Sequence, residues 1–247
     1  MPIPRKRVPS DKNLGKAAPG SRESRILRNK GGCTVKEYTG DKIRNVAIVG
    51  HGGAGTTSLT EALLYRSGAI SRMCKVEDGQ TTTDFEPEEI KRGVSVAEVK
   101  GAFRAVDSVL IVVSATSGVQ IGTEQCWKLA EEAGLPRLIF VNKMDRENAD
   151  YDNILDNLRA KIGKRILPLE LPLGKEEDFC GVIDVFNQKA YKGNGNGADE
   201  IEVPEDLKAW VQDAHDKMVD AAAEADDEET ERYLEGETIS DEEVMHC

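Results

Sequence analysis

The sequence predicts an α/β fold, a parallel sheet with helices on both faces, followed by a partial α+β unit. Strand-length apolar runs alternate with segments of helical periodicity across residues 46–162, a pattern typical of parallel sheets. After Arg165 the apolar runs become short and lie close together. A helix predicted over 204–225 and an acidic end complete the second unit.

Composition narrows the class of protein. The 247 residues are 39% hydrophobic, which is enough for a packed core. No apolar run is long enough for a transmembrane helix, so we expect no membrane partner. Arg5 and its basic neighbours have no hydrophobic segment behind them, so no secretory signal is predicted and the expected compartment is the cytoplasm. Neither the five cysteines nor the three histidines have metal-ligand spacing.

Charge is distributed unevenly along the chain. Residues 1–34 carry nine Lys and Arg against two acids, whereas residues 199–247 carry nineteen acids against three Lys and Arg. We expect residues 1–40 to form a disordered basic extension, with a contact to nucleic acid as the alternative. The acidic end could dock a basic protein partner, although a solvated acidic helix is the simpler explanation.

The elements of the first unit are predicted in order from apolar spacing. A strand over 41–49 precedes a helix with Leu59, Leu63 and Leu64 on one face, and a polar loop fills 68–91. The other predicted helices cover 97–106, 123–133 and 149–162, and the other strands 109–113 and 138–141. The strand over 138–141 is continuously apolar, which predicts that it is buried. Short strands are predicted over 166–173, 179–185 and 189–191.

A glycine-rich stretch joins the first strand to the first helix. It comprises Gly50, His51, Gly52, Gly53, Ala54, Gly55, Thr56, Thr57 and Ser58, here called the glycine loop. Backbone N–H groups of such a loop and of the following helix converge on a phosphate. The pattern G-x-x-x-x-G-K-[ST] fits, except that Thr56 stands where lysine is expected. The stretch therefore predicts a phosphate-binding P-loop without its lysine.

The stretch Asn142-Lys143-Met144-Asp145 directly follows a predicted strand. The carboxylate of Asp145 can accept two hydrogen bonds from guanine, which adenine cannot reproduce. Asn142 would brace the loop, and the stem of Lys143 would lie across the base. With the glycine loop upstream, this stretch predicts binding of GTP or GDP.

Three stretches carry a resemblance to a known family. They are Ile-Arg-Asn-Val at 43–46, Arg-Gly-Val-Ser at 92–95 and Val-Asn-Lys-Met-Asp-Arg at 141–146. In this order they resemble the G domain of elongation factor G-like translational GTPases, over about residues 36–247. The resemblance implies a G domain over 41–165 and an acidic insert over 166–247 that faces the ribosomal stalk.

The resemblance also implies GTP hydrolysis with Mg²⁺, coupled to movement on the ribosome. The glycine loop would cradle the α- and β-phosphates, and the Thr57 hydroxyl would contact Mg²⁺. Ser95 stands where the family has a threonine that also contacts Mg²⁺, with a polar residue at a strand edge as the alternative.

Three departures from the family pattern weaken this expectation. Thr56 removes a charge pair that contributes roughly 4 kcal/mol at about 4 Å and an effective dielectric near 20. No Asp-x-x-Gly occurs between the glycine loop and Asn142, so the group that positions the attacking water is missing and no catalytic residue is assigned. The chain also stops at Cys247, inside the insert, before the family's last strand.

The leading interpretation is a guanine-nucleotide-binding G domain, acting as a monomer, whose hydrolysis is impaired. The sequence leaves open whether the chain is an enzyme. One alternative is a non-hydrolysing pseudo-GTPase that docks proteins, and another is a degenerate fragment without activity.

Overall fold

The structure, a computed structural model, describes residues 26–28, 34–36, 39–83, 99–163, 166–195 and 197–224. The chain divides into two units, residues 1–43 and residues 44–247. Among the helices described, none combines the length and the apolar character needed to span a membrane.

The first unit contains a small antiparallel ladder. Strand β1 (Ile26–Arg28) pairs with β2 (Thr34–Lys36), and a 3₁₀ turn follows at Gly40–Lys42. Both segments contain β-forming residues, which favours this pairing. The disorder expected for residues 1–40 as a whole stays a prediction. Most of residues 1–38 lie outside the described part of the chain.

The second unit begins with a parallel sheet, which confirms the predicted α/β fold. Its strands are β3 (Val46–Gly50), β4 (Ser108–Ser114) and β5 (Arg137–Asn142), in the order β3-β4-β5. The helices that alternate with them are α1 (Thr56–Arg66), α2 (Val99–Ala102), α3 (Ile121–Glu132) and α4 (Tyr151–Lys161). Helix α2 is shorter than the helix predicted over 97–106; residues 97 and 98 lie outside the described part.

The core of this sheet is built around its central strand. In β4, Val109, Ile111, Val112 and Val113 are all buried. Burying each such side chain contributes about 1.5–3 kcal/mol. The first hydrophobic cluster joins three of these residues to the inner faces of α3 and α4, which therefore hold the sheet that carries the glycine loop.

The edges of the sheet are more open than the sequence suggested. Strand β5 was predicted to be buried, but Leu138 is 49% exposed and Phe140 is 37% exposed. This prediction was wrong because β5 is an edge strand of the described sheet and one of its faces is only partly covered. Residues 84–98, which precede α2, lie outside the described residues.

An antiparallel sheet and a helix form the remainder of the described chain. Strands β6 (Glu170–Leu173), β7 (Gly181–Asp184), β8 (Lys189–Gly193) and β9 (Ala198–Ile201) pair in sequence order, and α5 (Lys208–Ala223) follows. Strand β9 was not predicted, because acidic residues are not typical of strands. It is a polar edge strand of this sheet. A second hydrophobic cluster joins α5 to the sheet, and Tyr151 packs against both clusters.

Candidate nucleotide-binding site

The candidate site lies at the carboxyl ends of two parallel strands of the sheet, β3 and β5. Gly50 lies opposite Val112 at the end of β3, and Asn142 lies opposite Ser114 at the end of β5. A Cβ atom at Gly50 would lie 2.5 Å from the carbonyl oxygen of Val112, so only glycine allows this approach. The carboxyl ends of parallel strands are where ligands bind in open α/β sheets.

The glycine loop turns sharply into α1. Gly53 and Gly55 have φ angles of +81° and +100°, in the left-handed region that favours glycine. Within the described structure no side chain caps α1, whose N-cap is Gly55. The first-turn N–H groups of a helix lack intrahelical partners and carry a partial positive charge. The loop and the start of α1 therefore form a suitable cradle for a phosphate.

The Asn-Lys-x-Asp stretch is tied to the glycine loop by two side chains. Asn142 donates from Nδ2 to the carbonyl oxygen of Ala54 at 2.9 Å, 88 residues away in sequence. Lys143 donates from Nζ to the carbonyl oxygen of Gly53 at 2.7 Å. These contacts join the proposed phosphate cradle to the proposed base-reading stretch.

Glycine at position 55 makes this junction possible. A Cβ atom there would lie 2.3 Å from Nδ2 of Asn142, well inside van der Waals contact. Lys143 itself has a φ of 65°, a strained conformation for a side-chain-bearing residue. Its backbone N–H donates to Oδ1 of Asn142 at 2.9 Å, which helps to hold that conformation.

Asp145 is placed at the surface beside this junction. Its nearest ionic partner is Arg146 at 4.0 Å, and both side chains are more than 60% exposed. An exposed ion pair of this kind contributes little to the free energy of folding, so the Asp145 carboxylate is accessible to a ligand. Buried Met144 anchors the stretch. Residues 142–145 also line a groove of about 720 Å³ between β5, α4 and residues 166–172.

The remaining predicted site residues lie in or near the loop, with one exception. Thr56 and Thr57 are the first two residues of α1, and both are half-buried. His51 approaches the carbonyl oxygen of Gly52 through Nδ1 at 2.9 Å. Ser95 falls outside the described residues, so its predicted contact with Mg²⁺ stays a prediction.

A metal ion would find few protein ligands here. The described residues contain no group of three or more His, Cys, Asp or Glu side chains that could hold one. The hydroxyl of Thr57 is the oxygen that the glycine loop predicts for Mg²⁺. That contact between Thr57 and Mg²⁺ stays a prediction.

Sequence reasoning missed one buried carboxylate next to the site. Glu61 of α1 is fully buried, whereas Leu63, expected on the inner face, is 49% exposed. A lone acid between the apolar residues of a short helix was the available signal. The backbone oxygens of Gly53 and Ala54 gave no signal, because any residue type supplies a carbonyl group.

A glycine loop between a parallel strand and a helix, joined to an Asn-Lys-x-Asp stretch at the same sheet edge, defines the P-loop class of guanine-nucleotide-binding domains. The family described as the elongation factor Tu GTP-binding domain matches residues 41–98 and 96–240, and the chain belongs to it. Its two matching segments meet at residues 96–98, where the sequence lacks Asp-x-x-Gly.

Individual relatives agree with this assignment. Elongation factor G of Thermotoga petrophila is 35% identical over 233 residues, covering 83% of this chain. Elongation factor G of Thermotoga maritima is also 35% identical over 233 residues, with the same coverage. A crystal structure from Thermus thermophilus is 39% identical and has a TM-score of 0.77, covering 83% of this chain and 34% of that one.

The chain spans about a third of the length of these elongation factors, since it covers 34% of each. Together the matches confirm the predicted resemblance: the chain is an elongation factor G-like GTP-binding domain.

Proposed function

We propose that this domain binds GDP and GTP weakly and does not turn GTP over efficiently. The observation that carries the proposal is the pair of hydrogen bonds from Asn142 and Lys143 to the glycine loop. They hold the phosphate cradle and the guanine-reading stretch as one preorganised site. Residues 50–58 would surround the α- and β-phosphates, and Asp145 would accept hydrogen bonds from guanine.

Weak binding follows from the residue at position 56. Thr56 offers a hydroxyl in place of an ammonium group that would bridge the β- and γ-phosphates. The loss of roughly 4 kcal/mol for such a charge pair corresponds to about a thousandfold in affinity. Mg²⁺ would be held by Thr57, by Ser95 and by the phosphates, and it supplies charge neutralisation when bound.

Impaired hydrolysis follows from the sequence between the glycine loop and the Asn-Lys-x-Asp stretch. No Asp-x-x-Gly occurs between Gly50 and Asn142, and the family match breaks at 96–98 in the same interval. Without that segment nothing senses the γ-phosphate or positions the attacking water, although positioning and charge stabilisation provide most phosphoryl-transfer catalysis. We therefore assign no catalytic residue.

Titration with a fluorescent GDP analogue tests this proposal. We expect Thr56→Lys to tighten binding by about a hundredfold to a thousandfold, because it restores the bridging charge. GTP turnover should stay undetectable in both proteins. A nanomolar affinity of the unaltered protein, or an unchanged affinity in Thr56→Lys, would contradict the proposal that Thr56 weakens nucleotide binding.

Asp145→Asn provides the matched control, because it keeps the side-chain size and removes one of the two acceptors. In a competition between GDP and ADP we expect this variant to lose most of its preference for guanine. Binding that prefers guanine as strongly in Asp145→Asn as in the unaltered protein would contradict the proposed role of Asp145.

A second candidate function, protein docking without hydrolysis, is favoured by the charge of the insert. Residues 166–224 carry fourteen acids against five Lys. A basic partner, on the ribosome or elsewhere, would be retained at low salt and released at high salt. Retention on ribosomes that ignores salt would argue against electrostatic docking. A degenerate fragment would show neither retention on ribosomes nor nucleotide binding.

We also propose that the domain is a monomer and that it is located in the cytoplasm.

A further inference from the structure

A carboxylate of the insert contacts the segment that follows Asp145. Oε1 of Glu176 accepts from the backbone N–H of Asn148 at 2.6 Å, across 28 residues of sequence. Asn148 lies three residues beyond Asp145, the predicted guanine-binding side chain. Glu176 lies between β6 and β7, in a 3₁₀ turn over Glu176–Asp178. One hydrogen bond therefore joins the insert to the base-reading stretch.

The segment that receives this hydrogen bond consists of two tight turns over residues 143–149, here called the Asp145 loop. The second turn is closed by the N–H of Ala149, which donates to the carbonyl oxygen of Arg146 at 3.1 Å. Within it Asn148 has a φ of 66°, a left-handed conformation that asparagine adopts more readily than most residues. Such a conformation persists where surrounding contacts hold it. The hydrogen bond to Glu176 is a contact of this kind.

The connection that carries Glu176 is tightly closed. The N–H of Phe179 donates to the carbonyl oxygen of Glu176 at 3.1 Å. Gly174 has a φ of +90°, and a Cβ atom there would collide with the carbonyl oxygen of Asp178. Phe179 also packs against the first hydrophobic cluster, to which Met144 of the Asp145 loop belongs. The Glu176 carboxylate is therefore presented to the Asp145 loop from a well-supported backbone.

Asp145 lies between two fixed points of its loop. On one side, Met144 is buried and Lys143 donates to the glycine loop at 2.7 Å. On the other side, Asn148 is bonded to Glu176. The Asp145 side chain itself is 65% exposed, so its direction depends on the backbone that carries it. Two simultaneous hydrogen bonds from guanine need a carboxylate held in one orientation.

We propose that Glu176 is a positioning residue for guanine recognition, which holds Asn148 and thereby fixes how Asp145 presents its carboxylate. This inference rests on the proposed function, because it concerns the same nucleotide site. Glu176 acts through the backbone of the Asp145 loop and does not touch the base. Selectivity between guanine and adenine thus depends on a residue of the insert.

The test compares Glu176→Ala with Glu177→Ala. Glu177 is an exposed residue of the same 3₁₀ turn, so the control removes the same chemical group one position away. In competition with the fluorescent GDP analogue, the preference for GDP over ADP should fall by about tenfold in Glu176→Ala only. Affinity for ADP should stay unchanged, because adenine does not use the Asp145 carboxylate. Hydrogen exchange of the Asn148 amide should quicken by about tenfold.

The ratio of the GDP and ADP affinities separates positioning from general stability. A destabilised protein would lose affinity for both nucleotides in parallel, which would overturn the proposal. An equal guanine preference in Glu176→Ala and Glu177→Ala would also overturn it. If the unaltered protein bound neither nucleotide, or bound both equally well, the proposed function would be refuted and this role with it.

A milder variant covers the case in which Glu176→Ala does not fold. Glu176→Gln keeps an oxygen that can accept from Asn148 but removes the charge, and a neutral hydrogen bond is roughly half as strong. The guanine preference should therefore fall by a few-fold relative to Glu177→Gln. A preference in Glu176→Gln that matches that of Glu177→Gln would count against the proposal.

Discussion

Alanine at position 55 should damage this protein more than alanine at positions 52 and 53 of the glycine loop. Gly55 has a φ of +100°, and a Cβ atom there would lie 2.3 Å from Nδ2 of Asn142. Left-handed backbone costs a non-glycine residue about 1–2 kcal/mol. Displacing Asn142 would add about 1–3 kcal/mol of overpacking and lost hydrogen bonding. We expect Gly55→Ala to lower the free energy of unfolding by about 2–5 kcal/mol.

Two neighbouring glycines separate these contributions. Gly53 has a φ of +81°, but a Cβ atom there would meet nothing within 4 Å, so Gly53→Ala should cost only the backbone part, about 1–2 kcal/mol. Gly52 has neither a positive φ nor a close neighbour, so Gly52→Ala should stay within about 0.5 kcal/mol of the unaltered protein. The three variants make the same change within four residues of each other.

Thermal unfolding followed by circular dichroism measures this series. At about 2–4 °C for each kcal/mol, Gly55→Ala should lower Tm by about 4–20 °C and Gly53→Ala by about 2–8 °C. Equal Tm values for Gly55→Ala and Gly53→Ala would refute the reasoning. They would show that the packing of Asn142 against the loop does not contribute to stability.

Three further predictions concern stability and pH. Tyr151→Ala should cost about 3 kcal/mol in a urea titration, because the ring packs edge-on against Trp210 at 5.9 Å. Burial raises the pKa of Tyr151 to about 12, so the unfolded state loses its proton first and stability should fall as pH rises from about 10 to about 12; Tyr151→Phe should remove this decline. Hydrogen bonds from Thr82 and from the backbone of Cys74 lower the pKa of Glu61 in the folded protein, so its effect on stability runs in the opposite direction with pH. Its contribution to the free energy of unfolding is present above pH 4.5 and is lost as pH falls through the folded pKa. An acid unfolding profile equally steep in Glu61→Gln would contradict this.

Local patterns of the sequence were enough to predict the central features of the fold. The apolar run of β4 and the glycine loop after β3 each depend on residue types within a short window. Asn142 could be predicted to brace a loop because its motif specifies that chemistry. The acceptor, the carbonyl oxygen of Ala54, could not be predicted, since backbone groups carry no sequence signal.

Other features depend on the residues that pack against an element. Those residues are distant along the chain, so a short window of sequence does not contain them. The apolar pattern of β5 is the same whether a neighbour covers it or not, so the exposure of Phe140 was invisible. Glu61 was overlooked because helical periodicity counts apolar residues, whereas two backbone N–H groups from a distant loop decided its burial. Strand β9 was missed because its acidic residues resemble those of a loop.

The exposed side chains of β5 also bear on how the protein behaves in concentrated solution. Leu138 and Phe140 lie on an edge strand of the described sheet, and such edges are templates for pairing between copies. The formal net charge of −12 makes copies repel one another and opposes that encounter. Salt weakens the repulsion while leaving the apolar edge unchanged. Solubility should therefore decline as ionic strength rises, and low-salt buffers should keep the protein dispersed.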